Sequence, residues 1–264
     1  MFWLFVLFPQ LIDPYWTYIP VMILHYCTSH PRADADPTRQ FFMIALVWFW
    51  SLRLTHSYFR REEWLVGHSE DWRYSDMRKD LGGHWWWISF FAVYFIQQLM
   101  LVGLCLPMFG VFFARFYGAA ALPWSHAWDT PAALMCLVGV LIAFVADTQL
   151  YEFVTANKRR VANGASRVLV LETGLWRYSR HPNHFGEQLW WWGVALLGIS
   201  AVPQQLGWVA MGTLFNSALM LKVTWLVEAR MVKDSARAAA FQAYARRTSM
   251  WLPCPPSKDP AHAD

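Results

Sequence analysis

The chain has 264 residues, of which 56% are hydrophobic, 18% aromatic and only 15% charged. Soluble domains average about 45–50% apolar and about 25% charged residues, so this composition excludes an ordinary soluble enzyme, a disordered chain and a collagen-like chain. A lipid bilayer is the expected environment, and the modest net charge of +4 gives no reason to expect a nucleic-acid partner.

Six apolar segments approach or exceed the roughly 17–25 residues that a helix needs to cross a bilayer. The first contains three prolines and Asp13, so we expect it to kink. The fifth and sixth are separated by only a few residues around Pro203, which predicts a helical hairpin. The sequence therefore predicts an all-α polytopic membrane bundle of about six transmembrane helices, with seven as the alternative, at residues 1–27, 41–59, 85–106, 132–152, 188–202 and 207–227.

Basic residues are concentrated in three segments between or after these spans. Seventeen of the 22 Lys and Arg residues lie in 60–84, in 153–187 or after residue 227, and six spans place all three segments on one side. Cytoplasmic loops are enriched in Lys and Arg, so we predict that this side is cytoplasmic. The chain up to residue 253 then forms one membrane domain, and the Pro-rich tail 254–264 is expected to be disordered.

Polar residues with specific chemistry are densest in ETGLWRYSRHPNHFGEQLWWWG, residues 172–193. Pro182 suits the first turn of a helix, where its missing N–H costs nothing. Arginine forks suit phosphate or carboxylate groups, and an anion there would also meet the free backbone N–H groups of the helix start. A positive flank of a membrane span explains the arginines but not the Asn, His and Glu residues. We therefore predict a binding site at this helix start, formed by Arg177, Tyr178, Arg180, His181, Asn183, His184 and Glu187.

Two further polar clusters lie on the same predicted side. Asp147 lies near the end of the fourth span, where an acid is costly unless it has a partner, and an ion pair with Lys158 or Arg159 is the simplest alternative to a binding role. Glu228 and Tyr244 follow the last span, where an ordinary amphipathic helix is the alternative. The pair His181 and His184 is too small a ligand set to predict a metal site.

The stretch GLWRYSRHPNHFGEQLWWWG resembles the C-terminal signature of the steroid 5α-reductase-like membrane proteins, a group that includes a domain of unknown function. LIDPYWTYIP, RLTHSYFRREEW, EDWRYSDMR, WWWISFFAVYFIQQ, ADTQLYEF and YARRTSMWLP resemble other segments of that group in the same order, so the similarity runs from about Leu11 to Pro253. The resemblance implies a multi-span reductase that binds NADPH from the cytosol. It also implies reduction of a carbon–carbon double bond conjugated to a carbonyl in a lipidic substrate, with the endoplasmic reticulum as its membrane.

The resemblance also assigns roles to residues. Asp13 falls where the steroid reductases carry a Glu, and His56 and Tyr58 fall near their His-Tyr, where Glu and Tyr hold the steroid carbonyl. We therefore expect these three residues to act on the substrate, because a donor at the carbonyl oxygen stabilises the charge that hydride addition creates. Cofactor contacts are expected from Asp147, Lys158, Arg177, Tyr178, Arg180, His181, Asn183, Glu187, Glu228, Tyr244 and Arg247.

Three departures from the family pattern concern mainly the substrate. His184 stands where the family usually has Tyr, and the shorter Asp13 replaces a Glu. Steroid reductases have seven spans, and we expect this chain to lack the first of them. One alternative is an S-adenosylmethionine-dependent methyltransferase of the isoprenylcysteine or phospholipid type, which also carries Arg-His-Pro. These enzymes usually have paired Glu residues after the last span, whereas Glu228 precedes Ala229. The other alternative is a non-catalytic sterol-sensing or scaffolding membrane protein.

Overall fold

A computed structural model describes residues 13–65, 72–119 and 122–257, and within these ranges the chain is helical and contains no strand. Asp13 begins the first described helix, but its side chain lies outside the described part. Ten α-helices are described: α1 Asp13–Ser29, α2 Pro37–Arg61, α3 Trp72–Leu81, α4 Trp85–Ser89, α5 Ile96–Leu104, α6 Leu106–Phe112, α7 Asp129–Ala162, α8 Pro182–Ala201, α9 Leu206–Lys233 and α10 Ser235–Arg247.

The chain divides into two compact units. The first comprises Met1–Leu134 and Trp191–Asn216, and the second comprises Met135–Trp190 and Ser217–Asp264. Both units therefore contain chain segments that are far apart in sequence.

In the first unit, α1 packs against α2, α5 and α6. The start of α2 is fixed by Pro37 in its first turn and by Asp36, whose carboxylate accepts the Arg39 N–H at 2.9 Å. The guanidinium of Arg39 is buried and forks onto Asp129 at 3.1 and 2.6 Å. This bidentate pair joins the start of α2 to the start of α7.

Two helices are long and apolar enough to span a membrane, Asp129–Ala162 and the continuous segment Pro203–Lys233. Only 33% and 28% of their most apolar windows are buried, so most of these side chains face outwards, as they would towards lipid. These two helices are fewer than the six spans predicted from the sequence, and the count covers only the described residues. The predicted third span, for example, is divided into α4, a π-helical turn at Phe90–Phe95 and α5, which ends before Cys105.

The second unit places α7 directly against α8. A Cβ atom added to Gly139 would lie 2.6 Å from the carbonyl oxygen of Gly186, and one added to Gly186 would lie 2.6 Å from the backbone nitrogen of Ala143. Small residues permit such close helix approach, which is common between membrane helices. The predicted disordered tail is partly described, because the Ser257 N–H donates to the Arg247 carbonyl at 2.9 Å. Residues 258–264 lie outside the described ranges.

Candidate functional site

The segment 178–181, just before α8, is held by the chain that follows α10. The backbone N–H of Arg180 donates to the Ser249 carbonyl at 2.8 Å, and that of His181 donates to the Met250 carbonyl at 3.0 Å. The Cys254 N–H donates in turn to the Tyr178 carbonyl at 3.0 Å. These bonds satisfy the backbone of two irregular segments and fix where the Arg180 and His181 side chains begin.

Arg180 forks onto Glu228, the most specific contact of the site. Its Nε and Nη2 donate to the two carboxylate oxygens at 2.8 and 3.1 Å, and both side chains are 12% exposed. Nη1 donates to the carbonyl oxygens of Ala245 and Thr248, at the end of α10, where carbonyls lack helical partners. Arg180 was predicted to contact a phosphate, but nearly all its donors already serve Glu228 and α10, so it instead joins three segments of the unit.

His181 lies between Glu228 and His184. Its Nε2 is 3.0 Å from Glu228 Oε1, and a carboxylate that already accepts an arginine fork can only accept, so Nε2 carries the hydrogen. The His181 ring stacks on His184 with ring centroids 5.0 Å apart and an interplanar angle of 18°. The tautomer and the orientation of His181 are therefore both set by neighbours.

The His184 ring also has a specific hydrogen-bond partner. Its Nδ1 is 2.7 Å from the hydroxyl of Thr224, which donates its one hydrogen to the Met220 carbonyl at 2.8 Å and accepts from the Trp251 indole at 3.1 Å. With that hydrogen on the Met220 carbonyl, His184 Nδ1 is the donor in this pair. The His that replaces the usual family Tyr thus has a specific partner in this chain.

Tyr244 is buried against the same segment. Its hydroxyl lies within hydrogen-bond distance of the backbone carbonyls of Trp176 and Ser179. Burial raises the pKa of Tyr244 above its ordinary value, so the hydroxyl stays a neutral donor at physiological pH.

A cleft of about 550 Å³ opens beside Tyr244, a volume within the range of small-molecule sites. Arg177 is exposed in its wall and has no hydrogen bond or ion pair with another described residue, whereas Arg247 pairs with Glu172. The lining residues are Glu172, Thr173, Gly174, Arg177, Tyr244, Arg247, Thr248, Pro256 and Ser257.

Gly174 shapes one wall of this cleft. Its φ of +63° is a conformation that L side chains rarely adopt, and an added Cβ would lie 2.3 Å from Gln149 Nε2. Gln149 in turn accepts the Leu175 N–H at 3.0 Å. The turn that carries Arg177 therefore depends on a glycine.

The other predicted cofactor residues also lie in the second unit. Asn183 is half-buried on the first turn of α8, and its Oδ1 is buried without a hydrogen-bond partner among the described residues. Glu187 lies one turn further along and is also half-buried. Asp147 and Lys158 are separated by about 16 Å along α7, so they can contact only different parts of a ligand. Tyr178 is exposed, but its carbonyl accepts the Cys254 N–H.

The predicted substrate residues belong to the first unit. His56 is exposed, and its ring meets Trp64 edge-on with centroids 6.1 Å apart. Tyr58 is buried beneath the guanidinium of Arg61, 5.7 Å from the ring centroid. The side chain of Asp13 lies outside the described residues, so its predicted role remains a prediction.

Sequence reasoning missed residues that hold the site together. Glu172 is the first residue of the stretch 172–193. Its distance in sequence from Arg247 did not indicate that these two side chains form an ion pair. Thr224 lies in an apolar span, where a threonine is unremarkable by pattern alone. No group of three or more possible ligands that could hold a metal occurs among the described residues. The missed residues are Glu172, Trp176, Ser179, Thr224 and Trp251.

Comparison with known proteins places the chain in a family. The family model described as a protein of unknown function, DUF1295, matches residues 4–248. The chain belongs to the DUF1295 family. It is 27% identical over 216 residues to an uncharacterized protein of Schizosaccharomyces pombe, an alignment that covers 75% of this chain and 59% of that relative. The match thus spans about three fifths of the relative's length. No solved structure is significantly similar.

Proposed function

We propose that this DUF1295 protein is a multi-pass membrane reductase of the steroid 5α-reductase-like kind. It would use NADPH to reduce a carbon–carbon double bond conjugated to a carbonyl in a lipid or steroid-like substrate. The observation that carries the proposal is the cleft of the second unit. It is lined by Arg177, which has no side-chain partner among the described residues, and by the buried Tyr244, whose hydroxyl contacts the backbone just before Arg180. In this proposal the bundle has about six spans in the endoplasmic reticulum, and its cleft opens to the cytosol.

Arg177 is the first residue that we assign to the cofactor. NADPH carries several phosphate groups, and a guanidinium binds phosphate through two parallel hydrogen bonds. Arg177 is exposed in the cleft wall and has no described partner that a phosphate would have to displace. Arg247 is a second cation in the same wall, but its pair with Glu172 must open or be shared.

Asn183 is the second residue that we assign to the cofactor. Its buried Oδ1 lacks a donor among the described residues, and an unsatisfied buried acceptor is unfavourable. The carboxamide N–H of a nicotinamide would satisfy it, and Glu187, one turn along α8, would accept from a ribose hydroxyl. The His181–Glu228–Arg180 contacts hold the start of α8 in position for both.

When bound, NADPH supplies a hydride to the β-carbon of the conjugated double bond. The negative charge that develops on the substrate's carbonyl oxygen needs a hydrogen-bond donor, and a proton then adds to the α-carbon. Asp13, His56 and Tyr58 stay our candidates for the donor. The protein's own contribution is to bind, to orient and to exclude water.

One observation favours a second candidate, the S-adenosylmethionine-dependent methyltransferase. The Arg-His of the Arg-His-Pro segment meets an acidic residue that follows the last apolar span, Glu228, and the methyltransferases also combine these two elements. Glu228 is a single acid here, however, and both its oxygens are occupied by Arg180 and His181. We therefore rank this function second.

The test compares binding of NADPH and of S-adenosylmethionine to the detergent-purified chain by titration calorimetry. We expect NADPH to bind, and Arg177→Ala to weaken it about tenfold, the value of one charge-assisted contact. Arg159→Ala is the matched control, because Arg159 is an exposed arginine of α7 outside the cleft lining. Equal affinities of the two variants contradict the site, and binding of S-adenosylmethionine instead supports the methyltransferase. Binding of neither supports the non-catalytic alternative.

A further inference from the structure

A chain of hydrogen bonds in the first unit makes a tyrosine hydroxyl an acceptor. The indole of Trp16, which can only donate, bonds Gln97 Oε1 at 2.8 Å. The amide nitrogen of Gln97 must then face the other way, where it donates to the hydroxyl oxygen of Tyr74 at 3.2 Å. Tyr74 therefore accepts a hydrogen bond from Gln97.

Trp85 packs in the same cluster, and its indole N–H has no acceptor in the described part of the chain. Tyr74, Trp85 and Tyr94 form one buried cluster, in which they are 7%, 7% and 8% exposed. Trp85 Nε1 is buried and has no hydrogen-bond partner among the residues that the structure describes. Its neighbours in sequence, Trp86 and Trp87, are 53% and 43% exposed, as expected for aromatic residues at a membrane interface. Trp85 is thus the one of these three whose side chain is buried in the protein.

We propose that this aromatic cluster binds the oxygen end of an apolar lipid, with Trp85 Nε1 donating to a carbonyl oxygen of the ligand. A buried N–H is unfavourable until it meets an acceptor, and the ring surfaces around it favour an apolar body. The guanidinium of Arg78 covers the face of the Trp85 ring, 5.7 Å from the centroid, whereas the donor lies on the ring edge. Tyr94 belongs to the π-helical turn Phe90–Phe95, and such turns are frequent at functional sites.

As a further donor to the substrate's carbonyl, in addition to the candidates Asp13, His56 and Tyr58, Trp85 rests on the proposed reductase function. Binding of a lipid ketone to the cluster does not depend on the reductase function, because it requires no cofactor. The two proposals can therefore fail separately.

The experiment measures binding of two radiolabelled probes to the detergent-purified chain without NADPH. One probe is cholestenone, an apolar enone, and the other is cholestene, which has the same skeleton without the oxygen. We expect about a fivefold preference for the ketone, the value of one net hydrogen bond. Trp85→Phe should bind the two probes equally. Trp86→Phe, the exposed control, should keep the preference.

The ratio of the two affinities is the decisive quantity, because any cavity left by the smaller ring affects both probes alike. A wild-type protein that binds both probes equally overturns the proposal whether or not the variants fold. A Trp85→Phe protein that keeps the preference also overturns it. The measurement contains no NADPH, so a failure of NADPH binding does not alter the result.

Discussion

Replacing Glu228 by Gln tests the idea that this carboxylate holds the site together. Glu228 accepts two N–H groups of Arg180 and the Nε2–H of His181, all within 3.1 Å and with both sides of the ion pair only 12% exposed. Gln retains one oxygen, but its NH2 group would face a donor of Arg180 or His181. Breaking a buried ion pair lowers the free energy of unfolding by about 3–5 kcal/mol. Because Gln keeps one of the two oxygens, we expect Glu228→Gln to lower it by about 3 kcal/mol, near the lower end of that range.

The assay is thermal unfolding of the detergent-purified protein followed by circular dichroism. A loss of about 3 kcal/mol corresponds to a fall in Tm of about 6–12 °C for a chain of this size. Glu152→Gln is the matched control, since Glu152 is an exposed acid of α7, and we expect its free energy of unfolding to change by less than about 0.5 kcal/mol. A fall below about 2 °C for Glu228→Gln would refute the reasoning, because the fork would then contribute little more than a surface pair.

Two further substitutions test the close packing and the buried tyrosine. Gly186→Ala should lower the free energy of unfolding by about 1–3 kcal/mol, because the added Cβ would lie 2.6 Å from the Ala143 nitrogen. Gly207→Ala is the control and should not destabilise the protein, because nothing lies within 4 Å of the added Cβ. Tyr244→Phe should cost about 1 kcal/mol in the same assay, since the carbonyl oxygens near the hydroxyl lose their donor. Burial raises the pKa of Tyr244, so this difference should be equal at neutral and mildly alkaline pH and shrink only as the pH rises above the ordinary tyrosine value of about 10. A difference that stays unchanged as the pH rises well above 10 would show that the pKa of Tyr244 is the same in the folded and unfolded chains, and hence that burial does not raise it.

The start of α8 is the part of the site that the sequence predicted best. Pro182 marked a first helical turn, and α8 begins there. The break near Pro203 was also predictable, since α8 ends at Ala201 and α9 begins at Leu206. These features depend on local rules, in which a proline restricts its own backbone and that of its neighbours.

The contacts across the second unit could not be predicted in this way. Arg180 and Glu228 are 48 residues apart, and nothing in their spacing distinguishes this pair from any other arginine and acid. The sequence assigned Arg180 to a phosphate because arginine forks suit phosphate and carboxylate equally well. Only the fold decides which acceptor is near. The π-helical turn at Phe90–Phe95 was missed for a related reason, because hydrophobicity alone does not distinguish a continuous helix from an interrupted one.

The most direct test of the proposed function follows a hydride from the cofactor into a lipid. Purified protein in lipid vesicles is incubated with NADPH deuterated at the transferred position and with a total lipid extract from cells lacking the protein, and the lipids are analysed by mass spectrometry. We predict that one unsaturated ketone is converted into its saturated counterpart with one deuterium on the β-carbon, and that Arg177→Ala slows this conversion. If no lipid gains deuterium and the NADPH remains unoxidised, the account is contradicted.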